Sequence, residues 1–172
     1  MPATKHSART VKPKKTSTAA KREPDLAKPG QFVVRKSVRL NAEPAVVWDA
    51  LTNPDKTKQY FFNCEVHSDW KAGSPIVWKG RIFLIKKIEL KGTIVRIQPE
   101  RMLRYTLKNE QDKANPKSFS TVTEELSFQN GVTTLSISDD VGAGPGAKER
   151  YERSVRGWDS VLKGLKKLVE QK

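Results

Sequence analysis

One cysteine is all this sequence offers, Cys64. A lone thiol closes no intrachain disulfide and builds no multi-cysteine zinc site. Histidine is nearly as scarce, with only His6 and His67. No apolar run approaches the roughly 18 residues of a membrane span. The apolar core of a secretory signal is missing as well, which leads us to expect a cytoplasmic protein. Apolar residues make up 36% of 172, and acids are outnumbered 19 to 33 by lysine and arginine, for a net charge of +14. The apolar share is low for a chain that is all packed domain. These shortages exclude disulfide scaffolds and membrane spans but name no activity.

The low apolar share has a local origin. Residues 1–30 hold eight cations against two acids, four prolines and no aromatic residue. Such a segment buries too little apolar surface to offset backbone ordering, so it reads as a disordered basic tail ahead of one domain at 31–172. Its prolines argue against the amphipathic helix of a transit peptide. Val11-Lys-Pro-Lys-Lys15 resembles tails that contact nucleic acid weakly, without sequence preference and in a salt-sensitive way. A solubilising arm with no dedicated partner is the preferred reading.

The rest of the chain shows clear periodicity. Phe32, Val34, Val38 and Leu40 share one parity, as a half-buried strand requires. Pro44 follows Asn41-Ala-Glu and opens a helix carrying Val47, Trp48 and Leu51 inward. Asn53-Pro54 breaks it and starts a second short helix reaching about Tyr60. Strands are predicted at 63–69, 74–84, 87–98, 101–108, 118–129 and 132–140, with a polar hairpin loop over Asn109 to Lys117. Asn130-Gly131 between alternating runs is a strong hairpin signal. Tyr151, Val155, Trp158, Leu162, Leu165 and Val169 recur at spacings of three and four, so 147–172 reads as a long amphipathic helix. Hairpin-linked strands give an antiparallel sheet, and the helix must bury its apolar stripe against it. The expected class is α+β.

The motifs in this order resemble a known family. Val47-Trp48-Asp-Ala-Leu51-Thr-Asn-Pro54, Trp70-Lys-Ala-Gly73, Gly92-Thr-Ile-Val-Arg-Ile-Gln-Pro99, Arg101-Met-Leu-Arg-Tyr105 and Gly157-Trp158 with Leu162 and Leu165 are similar to the family related to the C-terminal domain of the heat-shock-protein ATPase activator. That family belongs to the START and pollen-allergen-like superfamily, also called SRPBCC. The resemblance covers about residues 31–170. It implies a helix-grip fold: a curved antiparallel sheet wrapped around the C-terminal helix, with a cavity that in many relatives holds a lipid, sterol or polyketide. Some relatives act as cyclases or resistance proteins. The eukaryotic activator has a further N-terminal domain that contributes strongly to chaperone stimulation, so the ligand-binding role is expected ahead of a chaperone-adaptor role.

The residues themselves point weakly to chemistry. Glu65, His67 and Asp69 share a strand face but lack the further ligand a zinc site needs, and a solvated polar face is expected. Cys64 has no base on its own face and reads as inert. Gly142-Ala-Gly144-Pro-Gly146 lacks the following parallel strand of a dinucleotide motif and reads as a flexible gate. Glu124-Glu125 and Asp139-Asp140 are neighbours in sequence and so point to opposite faces. Asp139 is expected at a solvent-facing strand end; turned inward instead, it becomes the first acid/base candidate. Trp48, Trp78, Tyr105, Tyr151 and Trp158 come from separate elements predicted to converge. Aromatics of this kind wall a ligand site or simply fill a core. The expected cavity lining is Trp48, Trp78, Leu103, Tyr105, Leu135, Tyr151, Val155, Trp158 and Leu162, for a hydrophobic small molecule. No catalytic residue, metal or cofactor is assigned. A chaperone-interacting adaptor and a cyclase- or hydrolase-like enzyme are the alternatives, and a stress-response role is expected from the family likeness.

Overall fold

The computed structural model describes residues 32–82, 86–109, 120–143 and 146–171. The basic tail, most of the polar loop after residue 109 and the centre of the proposed gate lie outside the described residues. Ten elements follow one another: β1 (Val33–Leu40), α1 (Pro44–Thr52), α2 (Pro54–Tyr60), β2 (Cys64–Ser68), β3 (Pro75–Ile82), β4 (Lys86–Gln98), β5 (Met102–Asn109), β6 (Ser120–Gln129), β7 (Val132–Asp140) and α3 (Ala147–Glu170). This is the predicted order, with element ends displaced by a residue or two.

The strands form one antiparallel sheet in the order β1-β7-β6-β5-β4-β3-β2. Consecutive strands from β2 to β7 are hairpin neighbours, while β1 and β2 lie at opposite edges. Helices α1 and α2 therefore carry the chain from one edge to the other. Pro44 sits in the first turn of α1, where its missing N–H costs nothing. Asn53 ends α1 and caps α2 by accepting the Asp55 N–H at 3.0 Å. The edge of β2 is covered rather than bare: the Val66 N–H donates to Thr57 Oγ1 of α2 at 3.1 Å.

Helix α3 buries Trp158, Val161, Leu162 and Leu165 in one cluster with Val34, Leu40, Ile76, Ile94, Leu103, Val122 and Leu135 of the sheet. These side chains come from the inward parity of each strand, so the helix lies in the concavity of the sheet. The result is the helix-grip arrangement. Polar ties fasten α3 along β1. Lys36 Nζ meets Asp159 Oδ1 at 2.7 Å, and Lys166 Nζ donates to the Arg39 carbonyl at 2.8 Å. Glu170 accepts the Asn41 N–H at 2.9 Å. Exposed ties of this kind contribute under about 1 kcal/mol each, so the apolar stripe dominates.

Two helical glycines behave differently. A Cβ on Gly164 would sit 2.9 Å from Tyr60 Cβ, so α3 passes close to the end of α2 there, rather than close to the sheet. A Cβ on Gly157 would meet only Phe62 Cζ, at 3.8 Å. Gly157→Ala is therefore expected to stabilise the fold by about 0.5–1 kcal/mol through helix propensity. Gly164→Ala is expected to destabilise it, because Tyr60 is held by its hydroxyl on the Ala50 carbonyl at 2.9 Å. Parallel urea unfolding of the two variants checks the opposite signs.

Candidate functional site

Alternation along β5, β6 and β7 places three polar side chains on the face that meets α3. Leu103 and Tyr105 point inward from β5, Val122 and Glu124 from β6, and Leu135, Ile137 and Asp139 from β7; all are buried. The expectation of a solvent-facing Asp139 is thus overturned. β7 keeps its period of two to its last residues, so Asp139 follows Leu135 and Ile137 into the interior. Glu124, which stands out in the sequence only as half of an acidic pair, is buried for the same reason on β6.

Helix α3 supplies the partners of Asp139. Ser154 Oγ donates to Oδ2 at 2.5 Å, and the Trp158 indole N–H donates to the same oxygen at 3.0 Å. Ser154 and Trp158 are four residues apart, one above the other on the same helix face. Asp139 Oδ1 is enclosed and, among the described residues, has no hydrogen-bond partner. On the neighbouring strand the Tyr105 hydroxyl donates to Glu124 Oε1 at 3.1 Å. Desolvation pushes the Glu124 carboxyl up to about 7, against a smaller lowering by the Tyr105 hydrogen bond. Burial beside Glu124 also holds the Tyr105 hydroxyl well above the usual phenol range. Among the described residues the buried polar side chains are Thr57, Thr133, Glu124 and Asp139. The interior so described holds two acids and no base.

The aromatic set divides into groups. Trp78 and Tyr105 lie 4.9 Å apart between ring centroids, Phe61 stacks on Trp78 at 5.9 Å, and Phe61 meets Trp158 edge-on at 6.3 Å. Phe61, which follows α2 directly, joins the sheet aromatics to the helix aromatic and is absent from the expected lining. A signal for it exists, since an aromatic residue directly after a short helix must pack on something. Tyr151 pairs instead with Phe32, at 5.8 Å. Trp48 is half-buried on α1, and Val155 is half-buried on α3; both pack against the cluster that contains Leu103, Leu135 and Leu162.

The other candidates do not join the two acids: Cys64 belongs to the same core cluster, and His67 lies outside it. Cys64 is buried, and desolvation raises its thiol, which disfavours the nucleophilic thiolate. His67 is half exposed and lies 3.6 Å from Glu65, which Lys58 holds at 2.7 Å. Among the described residues no three His, Cys, Asp or Glu side chains converge as a metal site would need. No helix there is long and apolar enough to cross a membrane. The foot of the proposed gate is held by Arg150, whose Nε and Nη2 donate to the carbonyls of Val141 and Ala143 at 3.1 and 3.2 Å. A separate open groove of about 490 Å³ runs along the β2–β3 edge, lined by Pro54, His67, Asp69, Trp70, Pro75 and Val77 among others. It shares no residue with the expected lining.

A long helix gripped by a seven-stranded antiparallel sheet, with two short helices between the edge strands, defines a helix-grip protein of the SRPBCC type. The sequence matches the family "Activator of Hsp90 ATPase homolog 1-like protein" over residues 41–170, and the chain belongs to that family. Solved structures agree. ChR145 from Cytophaga hutchinsonii is 31% identical over 80% of this chain and 93% of its own, with a TM-score of 0.64. CV1439 from Chromobacterium violaceum is 24% identical over 82% of this chain and 99% of its own, with a TM-score of 0.67. CalU16 from Micromonospora echinospora is 21% identical over 81% and 77%, with a TM-score of 0.64. No curated protein matches the chain.

Proposed function

We infer that this chain is a non-catalytic, cytoplasmic binding protein whose helix-grip interior takes a hydrophobic small molecule. In this reading residues 31–172 are the binding domain and residues 1–30 a separate basic segment of the sequence. The observation that carries the reading is the aromatic wall of Phe61, Trp78, Tyr105 and Trp158, drawn from the residue after α2, the sheet and α3. An apolar ligand bound there gains about 25 cal/mol per Å² buried, before association costs. Asp139 is engaged by Ser154 and Trp158, which suits a fixed polar anchor better than a free general base.

Titration of the isotopically labelled full chain with neutral apolar probes, such as naphthalenemethanol, a long-chain alcohol and a sterol, tests the reading by NMR. Binding is expected to shift the indole N–H signals of Trp78 and Trp158 while leaving Trp70 in place. No shift at either indole across the panel overturns it. The family description favours a second reading, a chaperone adaptor. Faster ATP turnover by a purified Hsp90-type ATPase on adding the full chain is its expected mark, and an unchanged rate removes it.

A further inference from the structure

The outside of this protein is strongly cationic, but its described interior is the reverse. Glu124 and Asp139 are buried on one face of the sheet, and among the described residues no lysine, arginine or histidine is buried with them. In the β6–β7 register Glu124 lies opposite Ile137 and Asp139 opposite Val122, which makes the two carboxyl groups diagonal neighbours. Asp139 is under-used as an acceptor. Asp139 takes two donors on Oδ2 and leaves Oδ1 enclosed without a partner among the described residues. Glu124 takes one donor, the Tyr105 hydroxyl. A buried acceptor left unmade carries its full desolvation penalty, and native proteins leave few such groups.

We propose that Asp139 and Glu124 form a polar end of the ligand site that takes a hydrogen-bond-donating head, best a protonated amine, on an otherwise apolar molecule. The proposal rests on the binding-protein reading above and adds the head group. The ammonium donates to Asp139 Oδ1 and faces Glu124, while the apolar body lies against Trp78, Tyr105, Phe61 and Trp158. A neutral hydroxyl also offers Oδ1 a hydrogen bond, but a weaker one than a charged donor gives. A carboxylate head has no donor to offer and meets two acids. Ser154 and Trp158 hold Asp139 from the helix side, so the free oxygen is fixed in place before a ligand arrives.

Three probes that share a naphthalene body isolate the head group: 1-naphthylmethylamine, 1-naphthalenemethanol and 1-naphthoate. Each is titrated into the 172-residue chain at pH 7 with the Trp158 indole N–H followed by NMR. The expected order is amine, then alcohol, then carboxylate, with about tenfold or more between the extremes. Attraction to the surface works the other way, because a protein of net charge +14 favours the carboxylate. An amine preference therefore reports on the interior. Asp139→Asn is expected to remove the preference for the amine over the alcohol; the wild-type order decides the matter if that variant does not fold. Equal binding of all three probes, or tightest binding of the naphthoate, overturns the head-group assignment and leaves the binding-protein reading standing. No binding of any probe overturns both.

Discussion

At pH 8, Glu124→Gln is expected to be more stable than the wild type by about 3 kcal/mol, and at pH 4 the two are expected to be nearly equal. The folded-state carboxyl of Glu124 titrates at about 7, against an ordinary value of 4.5, because burial disfavours its charged form. A pKa raised on folding means that the folded state holds the proton more tightly. Stability is then full below about pH 4.5, falls as pH rises through the window to about 7, and stays at its lower value above. The size follows from about 1.4 kcal/mol for each tenfold change in proton affinity. Glutamine keeps an acceptor for the Tyr105 hydroxyl and carries no charge at any pH. The groups facing Glu124 are Tyr105, Tyr60 and Asp139; the two phenols stay neutral across this window, both raised well above the usual phenol range by burial. Urea midpoints at pH 4, 6 and 8 for both proteins check the result. A stability difference that does not change with pH would remove Glu124 as a buried titrating acid.

The helix-grip fold is legible in the sequence because its parts carry strong local signals. The long helix announces itself through six apolar residues at three- and four-residue spacing. Asn130-Gly131 sets the β6–β7 hairpin, and counting back from it pairs Leu126 with Leu135 and Glu124 with Ile137. That same count places Glu124 and Asp139 inward, so both buried acids are within reach of the sequence. They escape a reading of it because an acid at a strand end is ordinarily solvated, and alternation alone says only which residues share a face. Which face is buried depends on how far α3 extends over the strands. Phe128 illustrates the converse. It shares the inward parity yet is 45% exposed, because the hairpin tip runs past the packed interior. The hydrogen bonds from Ser154 and Trp158 to Asp139 join residues on different elements and depend on the rotation of α3. No spacing within either segment encodes that angle. Phe61 escapes for a similar reason, since its place depends on how the end of α2 meets the helix.

Gly92→Ala is expected to destabilise the fold by about 3 kcal/mol or more, and to do so by disturbing the site wall. A Cβ on Gly92 would overlap the carbonyl oxygen of Thr106 and come within 2.6 Å of its carbon. The obstacle is backbone, which cannot swing aside as a side-chain tip can. Gly92 lies where β4 and β5 change their spacing. Lys91 still pairs with Lys108 and Ile94 with Tyr105, but the Thr93 N–H goes to Thr106 Oγ1 at 3.0 Å, and a register shift follows between Ile94 and Arg96. Irregularities of this kind bend a strand and increase its twist. They sit beside Tyr105, whose ring contacts Trp78 and whose hydroxyl meets Glu124. Separating the strands to admit a methyl group therefore moves Tyr105 away from both partners. Overpacking alone costs about 1–3 kcal/mol, and the loss of these contacts adds to it. The expected signature is a lower urea midpoint together with altered Trp78 and Trp158 indole signals in the folded protein. Gly157→Ala, which meets no backbone, serves as the control and should leave those signals in place. A Gly92→Ala protein of wild-type stability would mean that β4 and β5 do not approach so closely, and that the wall of the site is not set by this bend in the sheet.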